Sequence, residues 1–257
     1  MSDLKQLCCW IKGTFAILLL LIPGNLGWGK EGHYATCKIA ESFLSEEALK
    51  AVKELLPENA EGNLSSVCSW PDQIKYQYKW RWTSELHYVD TPDFRCNYDY
   101  SRDCHDSSGV KDRCVTGAIY NYTEQLVTGY NASNSAVQYN LTEALMFLSH
   151  YIGDVHQDTW SNDFLSWTNC SSGEEVCPDP WASESIKCSC NYAYRNATPG
   201  STLGDDYFLS RLPIVEMRLA QGGVRLAATL NRIFDPYSLI SQELAYFGNI
   251  QPTSHTT

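Results

Sequence analysis

The cysteines constrain the fold of this 257-residue chain most, because its eleven cysteines accompany a sequence pattern typical of secretion. Residues 1–27 combine a basic start, the short apolar stretch FAILLLLIPG and small residues before Trp28. This pattern predicts a signal peptide cleaved after Gly27, with a retained membrane anchor as the alternative. N-glycosylation sequons support secretion, at Asn63, Asn121, Asn131, Asn140, Asn169 and Asn196.

Cleavage would leave nine cysteines, at positions 37, 68, 96, 104, 114, 170, 177, 188 and 190. In an oxidising compartment these cysteines are expected to form disulfides. Because nine is odd, one thiol is expected to remain, and the close pair Cys188 and Cys190 is the expected place for it. The expected location is the secretory pathway, ending in the extracellular space (apoplast) or the vacuole. We expect a monomer without stable membrane association.

The apolar spacing predicts a mainly α, single-domain chain over residues 28–234, followed by a loosely ordered tail over 235–257. One or two helices are predicted over 32–55, and further helices over 115–128 and 140–156. A helix-like stretch is expected around ASESIKCSCNYAY. A helical pair is predicted over 205–233, bent at Gly222 and Gly223. LHYVD, at 86–90, is predicted to be short and extended.

The net charge of −11 has the wrong sign for long-range attraction of a polyanion. Removal of the leader, with Lys5, Lys12 and Asp3, would make the chain slightly more acidic. If the substrate is a nucleic acid, bound cations must therefore supply the attraction locally.

His150 and Asp154 are four residues apart in the apolar stretch LTEALMFLSHYIGDVH, so a helix would place them on one face. Burying both is costly without partners, and a metal ion explains them economically. Imidazole and carboxylate are ligands that zinc accepts, and a carboxylate can also bridge two metals. His156 points off the shared face. His105 and His255 are expected to be solvated.

Other polar residues have two interpretations. Asp72, in SWPDQIK, is typical of a helix N-cap, and His87 is compatible with an ordinary strand position. His33 alone is typical of a helix start. Cleavage before Trp28 would, however, create an α-amine that can chelate a metal together with the Trp28 carbonyl, and His33 could then add its imidazole.

Several segments resemble the plant bifunctional nucleases, members of the zinc-dependent, single-strand-specific nuclease family that includes the fungal nucleases S-one and P-one. The segments are WGKEGHYATCKIAE, SVCSWPDQIK, WTSELHYVDTPDF, NLTEALMFLSHYIGD and YRNATPGSTLGDDYFLSRLPIVEMRLAQGGVRLAATLN. The resemblance covers nearly all of residues 28–233. It implies a helical fold related to bacterial zinc phospholipase C, three zinc ions, cleavage of RNA and single-stranded DNA to 5′-nucleotides, and often 3′-nucleotidase activity.

The resemblance also implies a role for each matching residue. One zinc would take Asp72, His87, His150 and Asp154. A neighbouring zinc would take the Trp28 amine and carbonyl, His33 and the other oxygen of Asp154. Lys75 would lie near the scissile phosphate, Asp90 would orient the attacking water, and Tyr88 would stack on a base. The implied disulfides are Cys37–Cys68, Cys96–Cys190, Cys104–Cys114 and Cys170–Cys177, with Cys188 as the odd thiol.

The resemblance fails at the third zinc. In the family, the segment after GD-x-H/T-Q continues through PLH to an HHxWD-like motif that supplies two histidines and an aspartate. Here Trp160 occupies the position of the first histidine, and no HxxWD motif follows. Several dozen residues are absent after residue 157, as in an in-frame deletion. We therefore expect two zinc sites and reduced activity. The alternatives are a catalytically inactive zinc- or nucleotide-binding glycoprotein isoform and, more weakly supported, a phosphodiesterase acting on lipid head groups.

Overall fold

The computed structural model describes residues 28–92, 95–131, 138–156, 167–170, 174–198 and 200–235. These ranges are mainly helical and contain no strand beyond an isolated bridge between His105 and Lys111. The predicted mainly α class is thus confirmed. The predicted signal peptide, Trp160, His255 and nearly all of the predicted tail lie outside the described residues. No helix in the described ranges is both long and apolar enough to cross a membrane.

The described helices follow one another along the chain as short and long elements. The α-helices are α1 (Lys30–Glu41), α2 (Glu46–Leu55), α3 (Leu64–Val67), α4 (Trp70–Ile74), α5 (Tyr100–Asp103), α6 (Val115–Asn131), α7 (Leu141–Asp154), α8 (Pro178–Cys188) and α9 (Asp205–Phe234). Two 3₁₀ helices span Glu58–Ala60 and Tyr78–His87, and a π-helical turn spans Ser189–Ala193. In the core, α1 packs along α9 and α7, and α6 packs against α7.

Local signals explain where the central helices begin. The Ser45 side chain accepts a hydrogen bond from the Ala48 amide at the start of α2, and Asn140 accepts one from the Glu143 amide at the start of α7. Both are ordinary N-caps. Beyond its first turn α7 is buried all round, from Ala144 to Asp154, so it forms the centre of the domain.

The sequence prediction of a bent helical pair over 205–233 is wrong, because α9 is one continuous helix. The two glycines instead allow close packing against α1. A Cβ at Gly223 would lie 2.5 Å from Ile39 Cβ, and one at Gly222 would lie 3.3 Å from Thr36 Cγ2. Glycine is therefore needed here for helix contact rather than for a bend.

The extended segment predicted at LHYVD is only partly correct. Leu86 and His87 end a 3₁₀ helix, and the backbone becomes extended at Tyr88, with φ −147° and ψ 172°. Asp72 is likewise inside α4 rather than at its N-cap, which is Ser69.

Four disulfides connect the described parts of the chain: Cys37–Cys68, Cys96–Cys190, Cys104–Cys114 and Cys170–Cys177. These are the pairings that the resemblance implies. Cys188 is outside them, and its side chain is buried. The first disulfide ties α1 to the residue that follows α3, close to the polar cluster described below.

Candidate metal centre

Five predicted ligand side chains converge where α1, α4, α7 and the end of the longer 3₁₀ helix meet. Within the described residues they form two overlapping groups that share His150, and the ligand atoms of each group lie within 4.8 Å of one another. One group is His33, His150 and Asp154, and the other is Asp72, His87 and His150. Residues far apart in sequence are thus brought together by the packing of α7 at the centre.

The Asp154 carboxylate lies between the histidines. Its Oδ1 is 3.4 Å from His33 Nε2, whereas its Oδ2 is 3.0 Å from His87 Nδ1 and 3.1 Å from His150 Nε2. Asp72 closes the other side, with Oδ1 3.6 Å from His87 Nδ1 and Oδ2 3.7 Å from His33 Nε2. Both carboxylates therefore face the two halves of the cluster with different oxygens, and Asp154 is the closer of the two to every histidine.

A backbone carbonyl fixes the orientation of His150. Its Nδ1 donates to the carbonyl oxygen of Cys68 at 2.8 Å, so the proton of a neutral ring belongs on Nδ1. The Nε2 lone pair then points into the cluster, where it lies 3.0 Å from His87 Nδ1. Two imidazole nitrogens this close need a proton or a cation between them.

The histidines of the cluster differ in the direction of their pKa shifts. Burial lowers the pKa of His33 and of His87, which favours the neutral, metal-binding form. Burial opposes charging of His150 most, but Asp154, Asp72 and the bond to the Cys68 carbonyl together raise the pKa of His150. In turn, although burial opposes its ionisation, His150 and His33 hold the pKa of Asp154 well below its ordinary value.

The side chains fit a metal ion, because the cluster has buried polar atoms without partners. Neither ring nitrogen of His33 hydrogen-bonds to any described residue, and His87 Nε2 is also unsatisfied there. Such atoms are costly in an interior. Neutral imidazoles and carboxylates within a few ångströms form a donor set that zinc accepts. The Trp28 ring packs beside Gly32, at the start of α1.

A cleft of about 470 Å³ opens beside His87 and Asp154. Tyr88 and Asp90 line it, and both are exposed. The Tyr88 hydroxyl donates to the Glu85 carboxylate at 2.7 Å, a bond that, with partial burial, raises the pKa of Tyr88 to about 12. Lys75 lies at the cluster itself, because its ammonium is 2.6 Å from Asp72 Oδ1.

Comparison with known proteins decides the family. The sequence profile described as S1/P1 Nuclease matches residues 28–158 and 158–235. Endonuclease 4 of Arabidopsis thaliana is 53% identical in an alignment that covers 91% of this chain and 96% of that protein. Endonuclease 3 of the same plant is 49% identical, with 88% and 95% covered. The more distant Nuclease P1 of Penicillium citrinum is 27% identical, with 80% and 97% covered.

The chain belongs to the S1/P1 nuclease family. This confirms the resemblance drawn from the sequence segments. The protein is therefore a single-strand-specific nuclease by family, a hydrolase, and the family is metal-dependent. The cluster and the adjoining cleft are its candidate active site.

Two further histidines of the described residues, His105 and His156, lie outside the cluster. His105 is exposed. His156 is buried, donates from Nδ1 to the Ile152 carbonyl and accepts from Arg225 at Nε2, 2.9 Å away. Burial, together with the charges of Arg225 and Arg218, holds the pKa of His156 well below 6.5.

Sequence reasoning missed the groups that support the nuclease cluster. The Cys68 carbonyl has no signature in sequence, since any residue carries one. The IGD motif contains Gly153, but the sequence does not indicate its role. The absence of a side chain leaves room for His33, because a Cβ there would lie 3.0 Å from His33 Nδ1. Arg225 and Arg218, both on α9, bond to His156, just after α7, and pair with Glu184 on α8. Two arginines seven apart on a predicted helix were the available signal.

Proposed function

We propose that the chain is a secreted, zinc-dependent endonuclease that hydrolyses RNA and single-stranded DNA to 5′-nucleotides, with 3′-nucleotidase activity as a second expected reaction. The observation that carries this proposal is the convergence of His33, Asp72, His87, His150 and Asp154 at one end of a cleft. Arabidopsis relatives that align over most of the chain are named endonucleases, which supports the reaction class.

Two zinc ions are proposed. One would be held by Asp72, His87, His150 and Asp154, and the other by His33, the second oxygen of Asp154, and the amine and carbonyl of Trp28. The two-sided placement of the Asp154 oxygens supports this division. When bound, the ions would stabilise negative charge on the phosphate and make a water molecule more acidic.

The chain's own groups would position the substrate. The Lys75 ammonium, next to Asp72, would bind a phosphate oxygen near the scissile bond. Asp90, in the cleft, would accept a proton from the attacking water and orient it. The Tyr88 ring, about half exposed at 51% and held by Glu85, would stack on a base.

The third zinc site of the family is proposed to be missing through an internal deletion. Two findings support this. The family profile matches in two segments that meet at residue 158. The alignment with Endonuclease 4 spans 292 positions, more than the 257 residues of the whole chain. Loss of one metal from such a site is expected to cost several kcal/mol of transition-state stabilisation, at ~1.4 kcal/mol per tenfold in rate.

Secretion and glycosylation are part of the proposal. Each sequon asparagine whose surroundings the structure describes is exposed: Asn63, Asn121, Asn140, Asn169 and Asn196. The four disulfides also suit an oxidising compartment. The second candidate function is a catalytically inactive zinc- or nucleotide-binding glycoprotein, favoured by the lack of third-site ligands after residue 157.

The deciding experiment expresses the chain through a secretory pathway and follows nucleotide release from denatured DNA, with zinc and with chelator. A matched chimera carries the additional segment of Endonuclease 4 after residue 157. Zinc-dependent release by the chain, increased by roughly a hundredfold or more in the chimera, is expected. A folded, zinc-loaded chain without release would favour the inactive glycoprotein. A folded chain that binds neither zinc nor nucleotide would refute both functions as stated.

A further inference from the structure

The stretch KYQYKWRWTS, residues 75–84, differs in charge from the rest of the chain. It has three cations and no acidic residue, although the chain as a whole carries −11. Aromatic rings alternate with these cations along the sequence. The cations are Lys75, Lys79 and Arg81, and the rings are Tyr76, Tyr78, Trp80 and Trp82.

Burial in this stretch follows the three-residue period of a 3₁₀ helix, in which side chains at i and i+3 align. Thr83 and Leu86 are buried, and Trp80, three residues before Thr83, is half-buried against the core. Ser84 and Glu85 are partly buried, whereas the residues from 78 to 82 other than Trp80 face outward. Tyr78 is 96% exposed and Trp82 is 49% exposed, and Lys79 and Arg81 are also exposed.

Trp80 anchors the stretch to the core. Its ring makes edge and tilted contacts with Trp70 and Phe147, at centroid distances of 5.7 Å to each. The Thr83 hydroxyl donates to the Trp80 carbonyl at 2.7 Å. The Lys79 ammonium lies over the same tryptophan ring, 4.5 Å from its centroid. The outward rings are therefore displayed from a fixed backbone.

Folding gives no reason to expose these rings. Tyr76, at the start of the stretch, is 77% exposed. Large aromatic side chains gain free energy by burial, so a group of exposed rings marks a contact surface. Interleaved cations exclude a purely apolar partner, because Lys79 and Arg81 would be desolvated without a counter-charge.

We propose that this aromatic–basic stretch, residues 75–84, binds single-stranded nucleic acid beyond the nucleotide held at the candidate metal centre. The proposal rests on the nuclease function proposed above, and it adds an extended substrate surface to that site. Unpaired bases offer free π-faces to Tyr76, Tyr78 and Trp82, while Lys79 and Arg81 neutralise phosphates. Bases in a duplex are stacked on one another and cannot use such rings.

The surface is continuous with the site. The 3₁₀ helix that displays Tyr78 ends at His87, one of the clustered side chains. At ~2 Å per residue, Tyr78 lies roughly 18 Å along the helix from His87, a length that accommodates several nucleotides. At the other end of the stretch, Lys75 contacts Asp72 of the cluster.

Binding of a fluorescent 12-nucleotide single strand, measured by anisotropy in chelator, tests the proposal without cleavage. Tyr78→Leu and Trp82→Leu should each weaken binding by about fivefold or more, whereas Tyr78→Phe should not. Lys79→Gln with Arg81→Gln should reduce the slope of log K against log salt by about 1.4. The charge-matched control, Lys50→Gln with Lys53→Gln on α2, should leave the slope nearly unchanged.

Each other outcome overturns the proposal. If the α2 control reduced the salt slope as much as Lys79→Gln with Arg81→Gln, only the net charge of the chain would matter for binding. Unchanged binding in both leucine variants, or duplex binding as tight as single-strand binding, would exclude stacking. If the variants bound phosphatidylserine vesicles less well than the wild type but bound the oligonucleotide equally well, the surface would be assigned to membranes. Because the assay uses no metal and no turnover, an inactive chain would refute the proposed function while leaving this result interpretable. Circular dichroism checks the fold of each variant.

Discussion

Asp154→Asn tests the proposed zinc pair most directly. The carboxylate offers Oδ1 to the His33 side and Oδ2 to His87 and His150. An asparagine of nearly the same shape has one oxygen and one NH₂ group, so it can serve one side only, and it carries no charge. We therefore expect the variant to lose bound zinc together with any cleavage.

The size of the effect follows from linkage. Loss of a group that only supports a ligand costs ~10–100-fold in metal affinity, so loss of the bridging ligand itself should cost at least about 100-fold. At free zinc of ~100 times the wild-type Kd, binding stabilises the fold by about 2.7 kcal/mol. In the variant this falls to about 0.4 kcal/mol. For a domain of this size the difference corresponds to a Tm shift of about 5–9 °C.

Asp154→Asn should change the stability of the metal-free protein much less. The Asp154 charge raises the pKa of His150, and without it the ring can release its proton rather than remain as an unpaired buried cation. The assay is zinc content after dialysis, together with melting curves in zinc and in chelator. Glu143→Gln, at the other end of α7, is the charge-matched control. Wild-type zinc content and an intact zinc-induced Tm shift in Asp154→Asn would refute the bridging role.

Three further predictions concern the same site. Gly153→Ala should lower zinc affinity by ~10–100-fold, because the new Cβ would lie 3.0 Å from His33 Nδ1; a competition titration with unchanged affinity would contradict this. His156 stays neutral when folded, so below pH 6.5 the unfolded state binds more protons and stability falls by up to ~1.4 kcal/mol per pH unit. His156→Gln should flatten that slope in urea titrations in chelator, and an unaltered slope would show that other groups dominate. One alanine inserted before Trp28, the N-terminus expected from cleavage after Gly27, should remove the zinc proposed at His33. Metal analysis that finds two equivalents in both forms would reject the terminal amine as a ligand.

The helices and one half of the site could be predicted from sequence because their signals are local. The four-residue spacing of His150 and Asp154 within an apolar helix is enough to place both on one buried face. The burial and the proximity of the two side chains match that expectation. Capping by Asn140 similarly sets the start of α7 close to the predicted residue.

The other half of the site depends on contacts that no local pattern contains. Asp72 alone is typical of a helix cap and His87 of a strand, yet the packing of α4 and the 3₁₀ helix on α7 brings both to His150. Family resemblance, rather than periodicity, selected these residues. The Gly222–Gly223 pair shows the same limit, because its packing on Ile39 depends on a helix almost two hundred positions earlier.

Charge is distributed in a way that reconciles an acidic chain with a polyanionic substrate. At 0.15 M salt, interactions between exposed charges decay over about 8 Å, so the net charge of −11 matters less than what lies within that distance of the phosphates. The cluster concentrates carboxylates, Asp72 and Asp154, where dications would reverse the local sign. Residues 75–84 add cations without acids beside it. Because exposed Lys and Arg act by releasing counterions while buried metal contacts are screened less, added salt should weaken oligonucleotide binding more than it slows cleavage at the cluster.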